Sequence, residues 1–227
     1  MKVVFLLHDS RALYWAGMST FRLVAVLVAA GVAVRVLLLH ETRLGGGGSP
    51  LRDALGRHAA VAEIPVAGRF SRGAVRQIRE CMEVEQAEVL HSTGYKADWH
   101  AGWASEWGRR FAVVSTVHGW LFRRDLKERL FQALNIRALR GFSRVIVLSD
   151  FYERYLRRRG IHPMQIARIP TGIRADEVVS RAEARRLWES PGETFTFGML
   201  GRLSSEKNHA MMLKAVARLA GDLETSP

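Results

Sequence analysis

The most constraining feature of this sequence is a regular alternation of short apolar runs with longer amphipathic stretches. Residues 3–7 and 33–39 are apolar at nearly every position, which is typical of strands that are covered on both faces. Residues 18–30 between them are predicted to form a helix, which Gly31 ends. Strands that alternate with helices in this way predict an α/β fold built on a parallel sheet.

The same alternation continues along the chain. Further strands are predicted at 61–65, 88–91, 111–116 and 144–148. Further helices are predicted at 51–58, 71–86, 96–107, 125–140, 149–159 and 181–188. Ser149 is placed to cap the start of one of these helices and Gly160 to end it.

Breaks in this pattern divide the chain into three parts. We predict a first domain over residues 1–170, an interdomain connector over 171–192 and the start of a second domain over 193–227. The last part holds one predicted strand, 194–200, and one predicted helix, 207–220. Two elements are too few to bury a core, so the sequence predicts an incomplete second domain.

Positive charge is concentrated in the middle of the chain. The net charge is +12, and residues 109–186 hold +11 of it, with 18 basic against 7 acidic side chains. Such an excess attracts nucleic acid, anionic lipid or phosphorylated glycans. Arg outnumbers Lys by 29 to 5, which coding bias also explains, so charge alone leaves the partner open.

Cysteine use and hydropathy favour the cytoplasm. A lone Cys81 cannot form an internal disulfide, which fits a reducing compartment. The apolar start at residues 3–7 is too short for the core of a signal peptide. The longest apolar run, 23–39, contains Gly31 and Arg35, and a charge is costly in hydrocarbon.

Two loops at predicted strand ends carry candidate ligand contacts. The loop after residues 3–7 brings Gly17 to a helix N-terminus, where free N–H groups can accept a phosphate, although a simple strand–helix turn explains it as well. His118 follows strand 111–116 and could donate a hydrogen bond to a sugar or phosphate, unless local backbone satisfies it. The eight histidines show no ligand spacing, so no metal site is predicted.

The most specific stretch is residues 198–208. A predicted strand ends in Gly201-Arg202, a short loop follows, and Glu206-Lys207 opens a helix. Two cations and several free N–H groups would suit a pyrophosphate. The alternative is that Arg202 and Lys207 are merely solvated.

Six segments, in order along the chain, resemble retaining glycosyltransferases of family 4, which have the GT-B fold. The segments are 16–19, 91–98, 116–120, 147–149, 169–173 and 201–207. The resemblance implies a Rossmann-like N-terminal domain, which would bind the acceptor, followed by the first strand and helix of a second Rossmann-like, donor-binding domain. Within the family the sequence is similar to bacterial enzymes that build lipopolysaccharide or exopolysaccharide.

The resemblance also implies the chemistry. A nucleotide-diphosphate sugar would donate its sugar, with retained configuration, to a glycan or lipid-linked acceptor on the cytoplasmic side of the membrane. Because residues 109–186 carry +11 and the suspected acceptors are lipid-linked, weak contact with an anionic membrane surface is expected as well. Gly17 would lie near the donor diphosphate and His118, the catalytic candidate, would face the transferred sugar. Arg202 and Lys207 would neutralise the leaving diphosphate, so neither a metal nor another cofactor is expected.

Departures from the family pattern qualify this expectation. Ala16 stands where the family often has Gly, Thr171 where it has Asn, and Asn208 where it has Gly. Asn208 is a mild change because Asn can adopt the left-handed conformation. Family members carry two Glu, separated by seven residues, later in the second domain, and the sequence ends before them. We therefore expect a truncated chain that is inactive alone.

Two further classes of protein stay open at this point. One is a non-catalytic module that binds anionic glycan or membrane. The other is a sugar-nucleotide epimerase of the same fold. Nucleic acid is disfavoured as a partner because the sequence has no recognised nucleic-acid motif.

Overall fold

The structure, a computed structural model, describes most of the 227 residues. The described residues are 1–9, 15–44, 48–120, 126–172, 179–188, 196–201, 203–205 and 207–224. They fall into two compact units, Met1–Thr171 and Gly172–Pro227, and each is described by itself.

The first unit is built on a parallel sheet of seven strands. The strands are β1 (Lys2–His8), β2 (Ala33–Glu41), β3 (Ala60–Val66), β4 (Val89–Thr93), β5 (Ala112–Val117), β6 (Arg144–Val147) and β7 (Ile166–Arg168). Their order across the sheet is β3-β2-β1-β4-β5-β6-β7, and every neighbouring pair is parallel. The predicted α/β fold with a Rossmann-like sheet is therefore confirmed.

Helices connect successive strands. Those of the first unit are α1 (Trp15–Ala29), α2 (Pro50–Leu55), α3 (Arg72–Val84), α4 (Tyr95–Ala104), α5 (Leu126–Leu139) and α6 (Asp150–Arg158). The predicted ends of α6 are confirmed, because the Ser149 hydroxyl accepts a hydrogen bond from the Tyr152 N–H and Gly160 has a φ of +81°. The sequence did not predict β7, which has only three residues and so too short a pattern to detect.

Two apolar cores cover the two faces of the sheet. Side chains of successive residues in a strand point to opposite faces, so β1 contributes to both cores. Val4 and Leu6 pack in the core with α3, α4 and α5, whereas Phe5 and Leu7 pack in the core with α1 and α2. Burial on both sides explains why residues 3–7 of β1 and 36–39 of β2 are apolar at every position.

The strand order reverses between β1 and β4. Chain connections run from β1 toward β3 on one side and from β4 toward β7 on the other. In open parallel sheets such a reversal leaves a crevice beyond the carboxyl ends of the two central strands, and ligands bind there. The topology therefore predicts a ligand site at the carboxyl ends of β1 and β4.

The described part of the second unit holds two helices, α7 (Arg181–Leu187) and α8 (His209–Glu224). The predicted helix at 207–220 is thus present but begins two residues later. Residues 196–200 form no strand, contrary to the prediction, because a strand needs a neighbouring strand for its hydrogen bonds and the described residues provide none there. Asn208 has a φ of +52°, which confirms that it adopts the left-handed conformation.

Candidate functional site

A cavity of about 290 Å³ lies at the reversal point of the sheet. Leu7 and His8 at the end of β1, Thr93 at the end of β4, and Thr116 and Val117 at the end of β5 line it. Its remaining walls come from the loops and helices that follow these strands, and they comprise Ala16, Gly17, Leu51, Gly94, Tyr95, Lys96, Asp98, His118, Gly119 and Trp120. Residues that are distant in sequence converge here because all strands point the same way.

His118 lines this cavity and has one ring nitrogen without a hydrogen-bond partner among the described residues. It directly follows β5 and is half-buried. Its Nδ1 is buried and has no hydrogen-bond partner among the described residues. Burial lowers the pKa of His118, so the imidazole is neutral near pH 7. A neutral ring can donate one hydrogen bond to a ligand or accept one from it.

The backbone beside His118 is held in one conformation. Gly119 has a φ of +123°, and a Cβ built there would lie 2.6 Å from the Tyr152 hydroxyl oxygen. That hydroxyl oxygen accepts a hydrogen bond from the Trp120 N–H at 3.1 Å. Only glycine fits this turn, for both its conformation and its space. The turn thereby fixes His118 at the cavity edge.

Asp98, which lines the cavity, is the centre of a buried polar network. The Ser92 and Ser115 hydroxyls donate to Asp98 Oδ1 at 2.6 and 2.7 Å, and Asn135 Nδ2 donates to Oδ2 at 2.7 Å. The Asn135 Oδ1 in turn accepts from Trp120 Nε1 at 3.1 Å. Burial raises the pKa of Asp98, and the three hydrogen bonds oppose that rise. The network ties β4, β5, α4 and α5 to the indole that lines the cavity.

A second cluster of charged groups joins β1, β2 and α4. Lys96 and Arg43 both form ion pairs with the buried Glu41 carboxylate. His8 Nε2 lies 2.9 Å from Glu41 Oε1 and 3.3 Å from Lys96 Nζ. Burial, with the nearby Lys96 charge, lowers the pKa of His8 to about 4, so His8 is neutral near pH 7. The cavity therefore has a buried cation on its wall.

The structure brings together two of the four predicted site residues. Gly17 and His118 both line the cavity. Gly17 lies within the first turn of α1, where N–H groups lack partners inside the helix, and a Cβ there would approach Leu51 Cδ1 to 3.1 Å. Lys207 belongs to the second unit, where its side-chain carbons lie 3.4 Å from a Cβ built at Gly201. Arg202 lies outside the described residues.

Sequence reasoning missed several polar residues of the site. Lys96 and Asp98 lie in segment 91–98, which contributes to the family resemblance, but the sequence predicted no role for either residue. Glu41 and Asn135 were not predicted as site residues. No periodic pattern in the sequence marks the polar residues of α4, because the burial of Lys96, Asp98 and His100 is visible only in the structure. Charged side chains on the inner side of a helix are rare unless they are paired. Among the residues that the structure describes, no group of three or more His, Cys, Asp or Glu side chains is placed to hold a metal ion.

Comparison with known protein families decides the assignment. The glycosyltransferase family 4 profile matches residues 16–177. This range contains the cavity-lining residues of α1, α2 and α4 and of the loops that follow β4 and β5. The chain belongs to glycosyltransferase family 4. The resemblance predicted from the six segments is thereby confirmed at the level of the family.

Solved structures agree with the GT-B fold. Anabaena Alr3699/HepE in complex with UDP matches with a TM-score of 0.74 and 19% identity over 96% of this chain and 58% of that one. A glycosyltransferase from Rickettsia africae ESF-5 matches with a TM-score of 0.69 and 16% identity, over 96% of this chain and 57% of that one. The family 4 chain thus spans less than two thirds of the length of these structures.

Epimerases share part of this fold. UDP-GlcNAc 2-epimerase from Methanocaldococcus jannaschii matches with a TM-score of 0.55 and 11% identity, over 74% of this chain and 45% of that one. Its match is weaker than those of the two structures above. A search of curated protein sequences found no match.

Proposed function

We propose that this family 4 chain is the acceptor-side part of a retaining glycosyltransferase that uses a nucleotide-diphosphate sugar. One observation carries the proposal: His118 lines the cavity at the reversal point of the sheet, and its buried Nδ1 has no hydrogen-bond partner among the described residues. Alr3699/HepE was solved in complex with UDP, and the match covers 96% of this chain and 58% of that one.

In the proposed reaction an acceptor hydroxyl attacks the anomeric carbon of the donor sugar. The bond between that carbon and the nucleoside diphosphate breaks, and the diphosphate leaves with the bonding electrons. The acceptor proton passes to the leaving group or to solvent, and the sugar keeps its anomeric configuration. His118 holds a hydroxyl of the transferred sugar and so orients the anomeric carbon.

The leaving diphosphate needs positive charge. We assign this role to Arg202 and Lys207, together with the first-turn N–H groups of α1 at Gly17. Lys207 is exposed, so its ammonium is accessible to a ligand.

The biological setting is part of the same proposal. We place the reaction in cell-envelope polysaccharide synthesis, on the cytoplasmic side of the membrane, because the sequence segments resemble enzymes of that kind. No helix among the described residues is both long enough and apolar enough to cross a bilayer. We propose weak electrostatic attachment to an anionic membrane surface, because residues 109–186 carry a net charge of +11.

The test uses the complete gene product that contains these residues, with the 227-residue chain measured beside it. Both are supplied with a panel of nucleotide sugars and candidate acceptors, and nucleoside diphosphate release is followed while NMR reports the anomeric configuration. We expect turnover from the gene product, none from the 227-residue chain, and about a 100-fold loss in His118→Ala. His58→Gln, at an exposed position of the first unit, is the control.

Two outcomes would replace the proposal. Epimerised nucleotide sugar formed without any acceptor would assign the gene product to the epimerases. Binding of anionic glycan or vesicles with no turnover of any donor would make it a non-catalytic module. Normal turnover by His118→Ala would remove His118 from the site.

A further inference from the structure

A second cavity adjoins the first and is walled by cations. Its volume is about 280 Å³, and Arg43, Gly68, Arg69, Tyr95, Lys96, Lys127, Glu128 and Phe131 line it. Tyr95 and Lys96 line both cavities. Whatever binds in the second cavity is therefore next to the first.

The charge of this second cavity favours an anion. Four basic side chains line it against one carboxylate, Glu128. Glu41, behind the wall, pairs with both Lys96 and Arg43 and so offsets part of their charge. The basic side chains still outnumber the carboxylates, so the cavity favours an anion such as a phosphate monoester.

Arg69 is positioned to provide directed hydrogen bonds. Its guanidinium carbon lies 4.5 Å from the centroid of the Phe131 ring, and Phe131 in turn stacks on Tyr95 at 5.8 Å. Among the described residues Arg69 meets no carboxylate. A guanidinium stacked on a ring keeps its N–H groups at the edge, where they can grip two oxygens of one phosphate.

We propose that the second cavity binds a phosphate group carried by the acceptor, with Arg69 as the main contact and Arg43 as a further cation. The inference rests on the proposed function, since it takes the first cavity as the place of transfer. The shared Tyr95 ring gives an apolar face on which the acceptor's sugar can pack. The phosphate would come from a phosphorylated sugar or from a lipid headgroup.

The test measures binding to the full chain, without any turnover. Glucose 6-phosphate is titrated by calorimetry with glucose as the neutral comparison, and vesicles with phosphatidic acid are compared with phosphatidylcholine vesicles by co-sedimentation. Arg69→Gln removes the charge and the planar donors, and Arg69→Lys keeps only the charge. Arg72→Gln is the matched control, because Arg72 is exposed, lies three residues away and does not line the cavity.

We expect Arg69→Gln to weaken binding of the phosphorylated probe at least tenfold, Arg69→Lys to weaken it less, and Arg72→Gln to leave it unchanged. If Arg69→Gln weakens binding of glucose 6-phosphate, the phosphate comes from a phosphorylated sugar. If it weakens only binding to phosphatidic acid vesicles, the phosphate comes from a lipid headgroup. Equal effects of the two Gln variants, or no preference for phosphate, would overturn the inference. Phosphate binding that depends on Arg69 in a protein without transferase activity would overturn the proposed function and keep the anion site.

Discussion

At the scale of single residues, the site depends on atoms whose partners are fixed by backbone geometry. Gly119 provides the turn that carries His118, and the Tyr152 hydroxyl holds the next amide. His118 itself is left with a nitrogen that no described residue satisfies. Buried polar groups are nearly always paired, so an unpaired one on a residue that lines a cavity calls for an explanation, and a bound ligand is the one that we propose.

Cations that meet the leaving diphosphate should affect rate far more than stability. In the complete gene product, Lys207→Ala or Arg202→Ala would remove a positive charge that we propose meets the leaving diphosphate, and removal of such a group typically costs about 2.7–4 kcal/mol in the barrier, roughly 100- to 1,000-fold in rate. Loss of an exposed cation shifts folding stability by only about 0.5 kcal/mol. Kinetics and thermal unfolding, with Lys214→Ala on α8 as the control, separate the two effects. Near-normal turnover in both variants would show that these cations are solvated.

Histidine burial should make the first unit less stable in mild acid. Burial lowers the pKa of His91 to about 4, whereas an unfolded histidine titrates near its ordinary value of 6.5. Between these values the unfolded chain binds more protons, so stability falls as pH drops from 6.5 toward 4. From pH 7.5 to pH 5 we expect a loss of about 2 kcal/mol from His91 alone.

The check on this pH effect is denaturant unfolding at the two pH values. His91→Gln, which keeps a polar group near the Thr116 hydroxyl, should remove this part of the pH dependence. His58→Gln at an exposed site should leave it unchanged. An identical pH dependence in wild type and His91→Gln would contradict the prediction.

At the scale of elements, the sequence predicted the strands and helices, which have periodic patterns. It did not predict contacts between residues that are distant in sequence. Six strands and the helices between them leave periodic patterns, and the capping Ser149 and Gly160 mark ends locally. The Asp98 network has no such pattern, because Ser92, Ser115 and Asn135 meet Asp98 only after four elements have packed. The site residues predicted from sequence were those at strand and helix ends, where local signals exist.

Removing Asp98 should destabilise four elements together. Asp98→Ala leaves two buried hydroxyls and the Asn135 amide without their acceptor, which we expect to cost about 3 kcal/mol or more. Asp98→Asn keeps the volume but turns an amide donor toward existing donors, and should cost about 1–3 kcal/mol. Chemical unfolding ranks the two against Asp53→Asn, an exposed control on α2.

Hydrogen exchange gives the Asp98 prediction a local readout. Because Asn135 links Asp98 to the Trp120 indole, amides of 116–120 should exchange faster in Asp98→Ala. Wild-type stability with unchanged exchange in this segment would show that the network does not hold the cavity.

At the scale of the whole molecule, the fold forms the cavity, whereas the distribution of charge favours contact with an anionic surface. The sheet brings the cavity residues together. Most of the +11 excess of positive charge in residues 109–186 belongs to the same unit, Met1–Thr171. On α6, Arg154, Arg157 and Arg158 are exposed near Phe151, whose side chain is 51% exposed. An exposed aromatic ring beside several cations is typical of a surface that meets a membrane interface.

We expect weak, salt-sensitive association of the chain with anionic membranes through α6. Each basic residue close to an anionic surface contributes about 1 kcal/mol, and only those on one face count, so the triple replacement of Arg154, Arg157 and Arg158 by Gln should release most of the bound protein. Co-sedimentation at low salt with phosphatidylserine vesicles and with phosphatidylcholine vesicles measures this. The control is the double replacement of Arg72 and Arg76 by Gln on α3, which removes exposed cations outside residues 109–186. Binding that is equal on both kinds of vesicle, or equally reduced by both sets of replacements, would mean that the basic face is simply solvated.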